Sequence, residues 1–445
     1  MTADKNKSIL LEQWTQVVAT TPDDIAIWCG KSRTTYSFTA LAEMIEALEH
    51  RLPNHLYDQT VAIHLTDSID WLAAFMAFRI RRCCLLPLDG TIRKSAMEAL
   101  LARTGCEAIY TDSGLQINHS PASSSYPGAA LLKLTSGTTG SAKPIPFTES
   151  ELIADTNNIC QTMGISRKDR NFSLLPLAHS YALGNLVIPL FSHGIPLCLG
   201  SSQLPSAIAE ELAWNQSTVF PSVPQIWSVL TRSGVNQLAH LRLAISAAAP
   251  LTVELAAAFH DRFSLRLHNF YGASETGGIA YDRSGECGFC GDKLGSALDG
   301  VSLTVNTNGN LCVESEAVSR AIGTATADGR KQWVMADRAM IDECGMVTLQ
   351  GRCDRVIKHH GRRYDLDTME TDLRTLLKTE EIALVYHQGN ARFGLFVPHG
   401  FRETAKDTLE NELPMIAQRV RVIERETLPR NARGKIDLNR LTAEV

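Results

Sequence analysis

Apolar positions along the first 272 residues switch between two periods. Leu41, Met44, Ile45, Leu48 and Leu52 recur at i, i+3, i+4, i+7 and i+11, the stripe of an amphipathic helix. VAIHL from Val61 is instead a short unbroken apolar run, the mark of a strand buried on both faces. A helical stretch over 71–81 follows, then CCLLPLD, the helical SAMEALLARTG and EAIYTD. The rhythm resumes with FSLLPL (172–177), PLCLG (196–200), STVFPSV (217–223), LRLAISAAA (241–249) and LRLHNFYG (265–272). Strands alternating with helices predict βαβ units. The expected fold class is α/β, with a large N-terminal domain of mainly parallel sheet covered by helices on both faces.

After about Gly285 the texture changes. VSLTV, GNLCVES, KQWVMAD and GMVTLQG are short β-like pieces set between Gly, Asp and Asn turns, which predicts a small antiparallel β subdomain. The last 90 or so residues change again: a helix over 366–378, the strands IALVYHQ and RFGLFVP, a helix near 403–412 and the strand VRVIERE. That order predicts a separate small α+β domain. No internal repeat or coiled coil is visible.

Composition narrows the function classes. With 445 residues, 44% hydrophobic and 20% charged, the chain is long enough for two or more domains and is not disordered as a whole. Lys plus Arg total 43 against 48 Asp plus Glu, a net charge of −5, so no basic surface predicts nucleic-acid binding. The start, MTADKNKSILLEQW, lacks the apolar stretch of a secretory signal; the 11 cysteines are expected to stay reduced in a cytoplasmic setting. The 39 residues from Asn171 to Ala209 contain no Lys, Arg, Asp or Glu. A membrane span needs about 20 apolar residues, and Pro176, Gly184, Pro189, Gly194 and Pro196 interrupt this run. A buried strand–helix–strand passage fits it better.

Four segments carry chemistry. The first follows the strand-like AALLK: Leu134, Thr135, Ser136, Gly137, Thr138, Thr139, Gly140, Ser141, Ala142, Lys143 and Pro144. Its hydroxyls and unencumbered N–H groups suit phosphate oxygens, and Lys143 adds a point charge, although Pro144 after the lysine rules out the usual P-loop. The second, His268 to Gly278, ends a predicted strand, where open parallel sheets bind ligands. An aromatic ring there can stack on a base, an amide can read its edge, and a carboxylate can hold Mg²⁺ near phosphates. The third joins Met335-Ala336-Asp337 to the charged run from Gly351 to Tyr364, and the fourth is the basic loop Leu428 to Asp437.

In this order and spacing, over roughly residues 10 to 440, the four resemble the adenylate-forming superfamily: acyl-CoA and aryl-CoA synthetases, nonribosomal adenylation domains and firefly luciferase. The resemblance implies two domains, 1–352 binding ATP and acid and a mobile lid over 353–445, with a hinge at Asp354. It implies that Thr135, Ser136, Gly137, Thr138, Thr139, Gly140 and Lys143 hold the β- and γ-phosphates of ATP. Phe270, Tyr271 and Gly272 would bind the nucleotide, Tyr271 stacking on adenine, with Asn269 at the base edge and Ala247, Ala248 and Ala249 behind it. Ser274 would touch the α-phosphate, Glu275 would bind Mg²⁺, and Asp337 with Arg352 would hold the ribose. Lys435 would bridge carboxylate, ribose and α-phosphate during adenylation. Rotation at Asp354 would then replace it with the Lys358–Gly361 face and admit a thiol. The implied activity is ATP-dependent ligation of a carboxylic acid to a thiol, either CoA or the phosphopantetheine of a separate acyl carrier protein. Only ten residues follow Lys435, so the thiol is expected to come from another molecule.

Some positions depart from the family pattern. Ser274 stands for Thr, Met335-Ala336 for Thr-Gly, Ala247 to Ala249 for glycines, and Tyr364-Asp365-Leu366-Asp367 for Ile-x-Pro-x-Glu. The extra methyl groups at Ala247 to Ala249 disfavour a wide fatty-acyl tunnel. Amino-acid-activating relatives carry an Asp where this chain has His179, Ser180, Tyr181 and Gly184 in an uncharged run, so a substrate ammonium would lack a partner. The acid pocket, Ala248 included, is therefore expected to take an aryl acid, or else an aliphatic one. The segment is similar to small ligases of bacterial aryl-polyene pathways. A non-catalytic adenylate-binding protein on the same fold is the rival reading, against which Lys435, Glu275, Asp337 and Arg352 stand intact. Cys287-Gly288-Phe289-Cys290 has no second pair and predicts no zinc site.

Overall fold

The structure is a computed structural model that describes all residues except 1–7, 67, 91, 93, 119–125, 135–142, 291–292, 327–328, 353–355, 360–361, 380, 430–435 and 437. The chain divides into a larger unit, Met1–Thr135 with Pro144–Cys353, and a smaller one built chiefly from Asp354–Val445.

In the larger unit the apolar runs become strands with two buried faces. The parallel series Leu267–Ala273, Leu243–Ser246, Val219–Ser222, Asn171–Ser173, Leu197–Leu199 and Ile25–Cys29 lies in that spatial order. Successive residues serve opposite cores. Ile27, Leu197 and Leu199 join a core shared with helices Ile9–Thr20, Phe38–Glu49 and Ile69–Ile80. Trp28, Phe172, Cys198, Phe220 and Ala244 join another with helices Pro205–Asn215, Pro224–Arg232 and Val253–Phe263. This is why no polar alternation marks these strands. A second sheet orders six strands as Gly114–Ile117, Ala108–Thr111, Thr60–His64, Cys84–Pro87, Leu131–Leu134 and Pro144–Phe147, and it contributes Val61, Ile63, Leu85 and Leu131 to the first core. The α/β class expected from the sequence is what the chain adopts.

Two expectations need adjusting. The amphipathic helix closes at Glu49 and Pro53 follows shortly, so Leu52 is buried from the turn beyond it. The antiparallel pieces after Gly285 do not stand apart from the parallel sheet. Leu267–Ala273 pairs parallel with Leu243–Ser246 on one side and antiparallel with Gly277–Tyr281 on the other, and the ladder continues through Lys293–Ala297, Met346–Arg352, Lys331–Ile341, Asn310–Ser315 and Val301–Val305. Among the described residues this makes one sheet of fourteen strands.

Residues 171–209 form the expected passage: a strand, a helical run from Ser180 to His193, and the strand Leu197–Leu199. Within it, Leu183–Val187 is a π-turn, a form common near functional sites. Among the described residues no helix is long and apolar enough to cross a membrane.

The smaller unit carries the hairpin Val356–His359 with Arg362–Asp365, and a sheet of Ala383–His387, Arg392–Pro398 and Val420–Arg425. Helices Leu366–Leu377 and Arg402–Glu412 cover a core that includes Met369, Leu373, Leu384, Phe393 and Leu409.

Helix Glu149–Met163 fixes the loops near the strand ends. Thr148 and Glu151 form a capping box at its start. The Glu151 carboxylate, fully buried, also accepts the Arg320 N–H at 2.9 Å, the Arg320 guanidinium at 3.0 Å and the Lys331 ammonium at 3.0 Å. Burial alone would raise its pKa, but these bonds and the Thr148 N–H outweigh it and hold the carboxyl below its ordinary value. A carboxyl held low stabilises the fold above its unfolded pKa and loses that contribution as pH falls through the folded one. Glu151→Gln is therefore expected to cost about 1.5–3 kcal/mol at neutral pH, the range for hydrogen bonds to a charged group. The gap to wild type should narrow below about pH 4 in thermal melts.

Candidate active site

The site grows from the end of strand Leu267–Ala273, which turns back through Ser274, Glu275 and Thr276 into Gly277–Tyr281. The turn is hairpin-like, with no crossover helix, and it needs glycine. Gly277 has φ +72°, and a Cβ on Gly272 would stand 2.8 Å from the Gly277 carbonyl oxygen.

Along this strand Tyr271 is 4% exposed, and its hydroxyl donates to Asp337 Oδ2 at 2.5 Å. The residues are 66 positions apart. Asp337, also 4% exposed, lies on Lys331–Ile341 directly across from Arg352 in the antiparallel register. The register thus gives the backbone reason for reading Asp337 and Arg352 as one pair; the Arg352 side chain lies outside what is described. Asn269 spends an amide N–H on the Lys293 carbonyl at 3.2 Å, and Phe270 is buried beside it. Met335, the departure from the family threonine, packs into the core with Tyr271 and Ala273.

Ser222, Ser246 and Asn269 stand in register on three neighbouring strands. After Ser246 the chain continues through buried Ala247, whose N–H bonds the Ser222 carbonyl at 3.1 Å, to Ala248 at φ +67° and the half-buried Ala249. An alanine in the left-handed region is strained by about 1–2 kcal/mol. The chain keeps a glycine-type backbone there while adding methyl groups.

The uncharged segment meets the same strand. Ser180 Oγ lies 3.2 Å from Ser274 Oγ, and the Tyr181 ring sits 5.7 Å from that of Phe270. The Tyr181 hydroxyl is enclosed without a hydrogen-bond partner, and burial pushes its pKa well above the ordinary phenol value. Gly184 presents its carbonyl to the Thr156 hydroxyl at 3.2 Å. His179 is half-exposed and its Nε2 lies 2.7 Å from Asp89 Oδ2. The run is thus uncharged in sequence but not in space: Asp89 reaches His179, and Asp155 reaches Gly184. Both carboxylates already have partners, His179 for one and Lys133 for the other.

Glu275 is the half-buried acid of the turn. Its carbonyl accepts the Ser319 N–H at 3.3 Å, but its carboxylate Oε2 is enclosed with no hydrogen-bond partner. An enclosed carboxylate oxygen without a donor fits a cation. Among the described residues no group of three or more His, Cys, Asp or Glu is arranged to hold a metal.

Lys143 is exposed at the head of strand Pro144–Phe147. Lys358 is half-buried in the Val356–His359 hairpin, opposite Arg363. Thr135, Ser136, Gly137, Thr138, Thr139, Gly140, Asp354, Gly361 and Lys435 lie outside the described residues. Sequence reasoning missed Lys133, Asp155, Glu151 and Asp89. A signal existed for two of them: Glu151, Leu152, Asp155, Thr156, Ile159 and Met163 form one buried helical stripe with acids in it.

Residues 120–321 match the family model of AMP-binding enzymes. A probable CoA ligase of Humulus lupulus (CCL5) is 22% identical over 340 residues, covering 69% of this chain and 62% of that one. 4-Coumarate–CoA ligase 3 of Oryza sativa subsp. japonica is 24% identical over 345 residues, covering 68% and 62%. The chain thus spans less than two thirds of either relative's own length. Among solved structures, o-succinylbenzoate CoA synthetase of Bacillus subtilis bound with a product analogue superposes with a TM-score of 0.80 at 18% identity, covering 97% of this chain and 98% of that one. The same synthetase in complex with ATP and magnesium gives 0.69 at 18% identity over 96% and 98%.

Proposed function

This chain belongs to the adenylate-forming superfamily, and from that premise we propose that it is an ATP-dependent acid–thiol ligase. The observation that carries the reading is convergence at one strand end: Tyr271 bonded to Asp337, Ser274 to Ser180, and Glu275 beside them with its enclosed Oε2 unpartnered. The meeting of these segments supports reading them together as the nucleotide, ribose and acid sites.

In the first half-reaction the acid's carboxylate oxygen attacks the α-phosphorus of ATP, an O–P bond forms, and pyrophosphate leaves. Both partners are anions, so the site must offset repulsion while aligning attack. Lys435, Lys143 and the 135–140 hydroxyls and N–H groups would supply that, with Ser274 on the α-phosphate. Adenine would lie against Tyr271 with Ala247, Ala248 and Ala249 behind, and Asp337 with Arg352 would hold the ribose. Glu275 would hold the Mg²⁺ of Mg·ATP, which supplies charge neutralisation to the phosphates. In the second half-reaction a thiol attacks the acyl carbon and AMP leaves, with the lid over 353–445 turning at Asp354 and presenting Lys358 and Gly361.

The acceptor is the thiol of CoA or of a carrier protein's phosphopantetheine. The acid we propose is aromatic. Tyr181 brings a ring and an unpartnered hydroxyl, the two carboxylates that reach the segment are taken by His179 and Lys133, and the Ala248 methyl would narrow the space. The test is acid-dependent exchange of labelled pyrophosphate into ATP across benzoates, cinnamates and fatty acids, followed by CoA and carrier proteins as acceptors. Exchange with aryl acids is expected. None with any acid would favour a non-catalytic adenylate binder, and exchange confined to fatty acids would refute the aryl assignment.

A further inference from the structure

Three stretches that read as separate motifs meet at one buried side chain belonging to none of them. Asp155, 3% exposed, lies on the inward face of helix Glu149–Met163. Its Oδ1 accepts the Gly278 N–H at 2.8 Å, just past the turn that carries Glu275. It also fills the space a side chain would need at Gly277, where a Cβ would stand 2.2 Å from that oxygen. Its Oδ2 would meet a Cβ on Gly184 at 2.8 Å, which places the carboxylate against the acid segment. The same oxygen faces Lys133 Nζ at 3.6 Å.

Lys133, 3% exposed, sits in strand Leu131–Leu134, two residues before Thr135. Its ammonium also lies 4.3 Å over the Phe147 ring. Burying both charges costs about as much as their attraction returns, and an apolar pair could hold the same elements together as firmly. What a charged pair adds is geometry. One carboxylate has a defined direction for the Gly278 N–H and another for the lysine, and neither can slide without leaving a buried charge unmatched.

We propose that Lys133 and Asp155 are positioning residues for adenylation. They hold the Glu275 turn in register with strand Leu131–Leu134, which precedes the 135–143 sequence motif. The proposal rests on the assignment of both segments to Mg·ATP made above.

The test is the double variant Lys133→Met/Asp155→Asn. It removes both charges, keeps their size, and leaves an amide oxygen for the Gly278 N–H. Pyrophosphate exchange is measured well below the melting temperature of each protein. The KM for Mg·ATP is expected to rise about tenfold, the scale of a slight misalignment, while the KM for the acid moves less than about twofold. A merely structural pair would lower the melting temperature and leave both KM values unchanged, because the folded fraction cancels from KM. An unmoved KM for Mg·ATP in the folded variant therefore overturns the proposal. Asp155→Asn alone carries the same test if the double variant does not fold, with an expected rise of roughly threefold. No exchange by wild type with any acid would overturn the ligase reading and this inference with it. Active wild type with unmoved variants would overturn the inference alone.

Discussion

Replacing Lys435 with alanine is expected to slow acid-dependent pyrophosphate exchange by about 10²–10³-fold, the scale for losing one transition-state donor. Transfer of the acyl group from supplied acyl-adenylate to a thiol should stay near the wild-type rate. The asymmetry follows from where charge develops. In adenylation a carboxylate approaches a phosphate, and negative charge accumulates on the oxygens around the α-phosphorus as pyrophosphate departs. A cation bridging the two anions is worth most in that transition state. In thiol transfer the charge builds on the acyl oxygen and the departing AMP, after the two anions have been joined. Measuring both half-reactions on the same variant separates the cases. An equal loss in both would assign Lys435 to general binding and overturn its proposed role.

The fold was legible because its strands are buried twice over. Val61 to Ile63 and Val219 to Ser222 read as unbroken apolar runs, and these positions are all buried, as the run predicts. The continuity of the fourteen-stranded sheet was not legible. It depends on Tyr271 pairing with Ala280 across a short turn, and a turn motif read for its ligands gives no sign of which strand it feeds. The site divides the same way. Tyr271, Asp337, Ser180 and Ser274 are visible from local motifs, while their meeting depends on contacts between residues 66 and 94 positions apart. Asp155 was invisible for a different reason. Motif reading looks for reactive groups beside one another in sequence, and a carboxylate that works through the N–H of Gly278 has no neighbour of that kind. Lys133, inside the apolar LLKL, is the better lesson: a charge in a doubly buried strand implies a buried partner, which a sequence can announce without naming.

Glu275→Gln is expected to reduce pyrophosphate exchange by about 10²-fold without lowering the melting temperature. Among the described residues, buried carboxylates such as Glu151 and Asp155 hold structure. Glu151 gathers four donors, and Asp155 bonds Gly278 and faces Lys133. Glu275 differs, since its Oε2 is enclosed and accepts nothing, while the turn itself is held through the backbone by the Ser319 N–H. An enclosed carboxylate oxygen without a donor is a cost to the folded state, and glutamine of the same shape removes the charge on it. Stability and activity should therefore move in opposite directions, as they do where a site keeps a group for its ligand. Exchange rates titrated against Mg²⁺ supply the second readout: the half-saturating concentration should rise in the variant. A melting temperature several degrees below wild type would mark Glu275 as structural. Wild-type exchange at ordinary Mg²⁺ would remove it from the cation site, leaving its unmatched oxygen without a ligand to explain it.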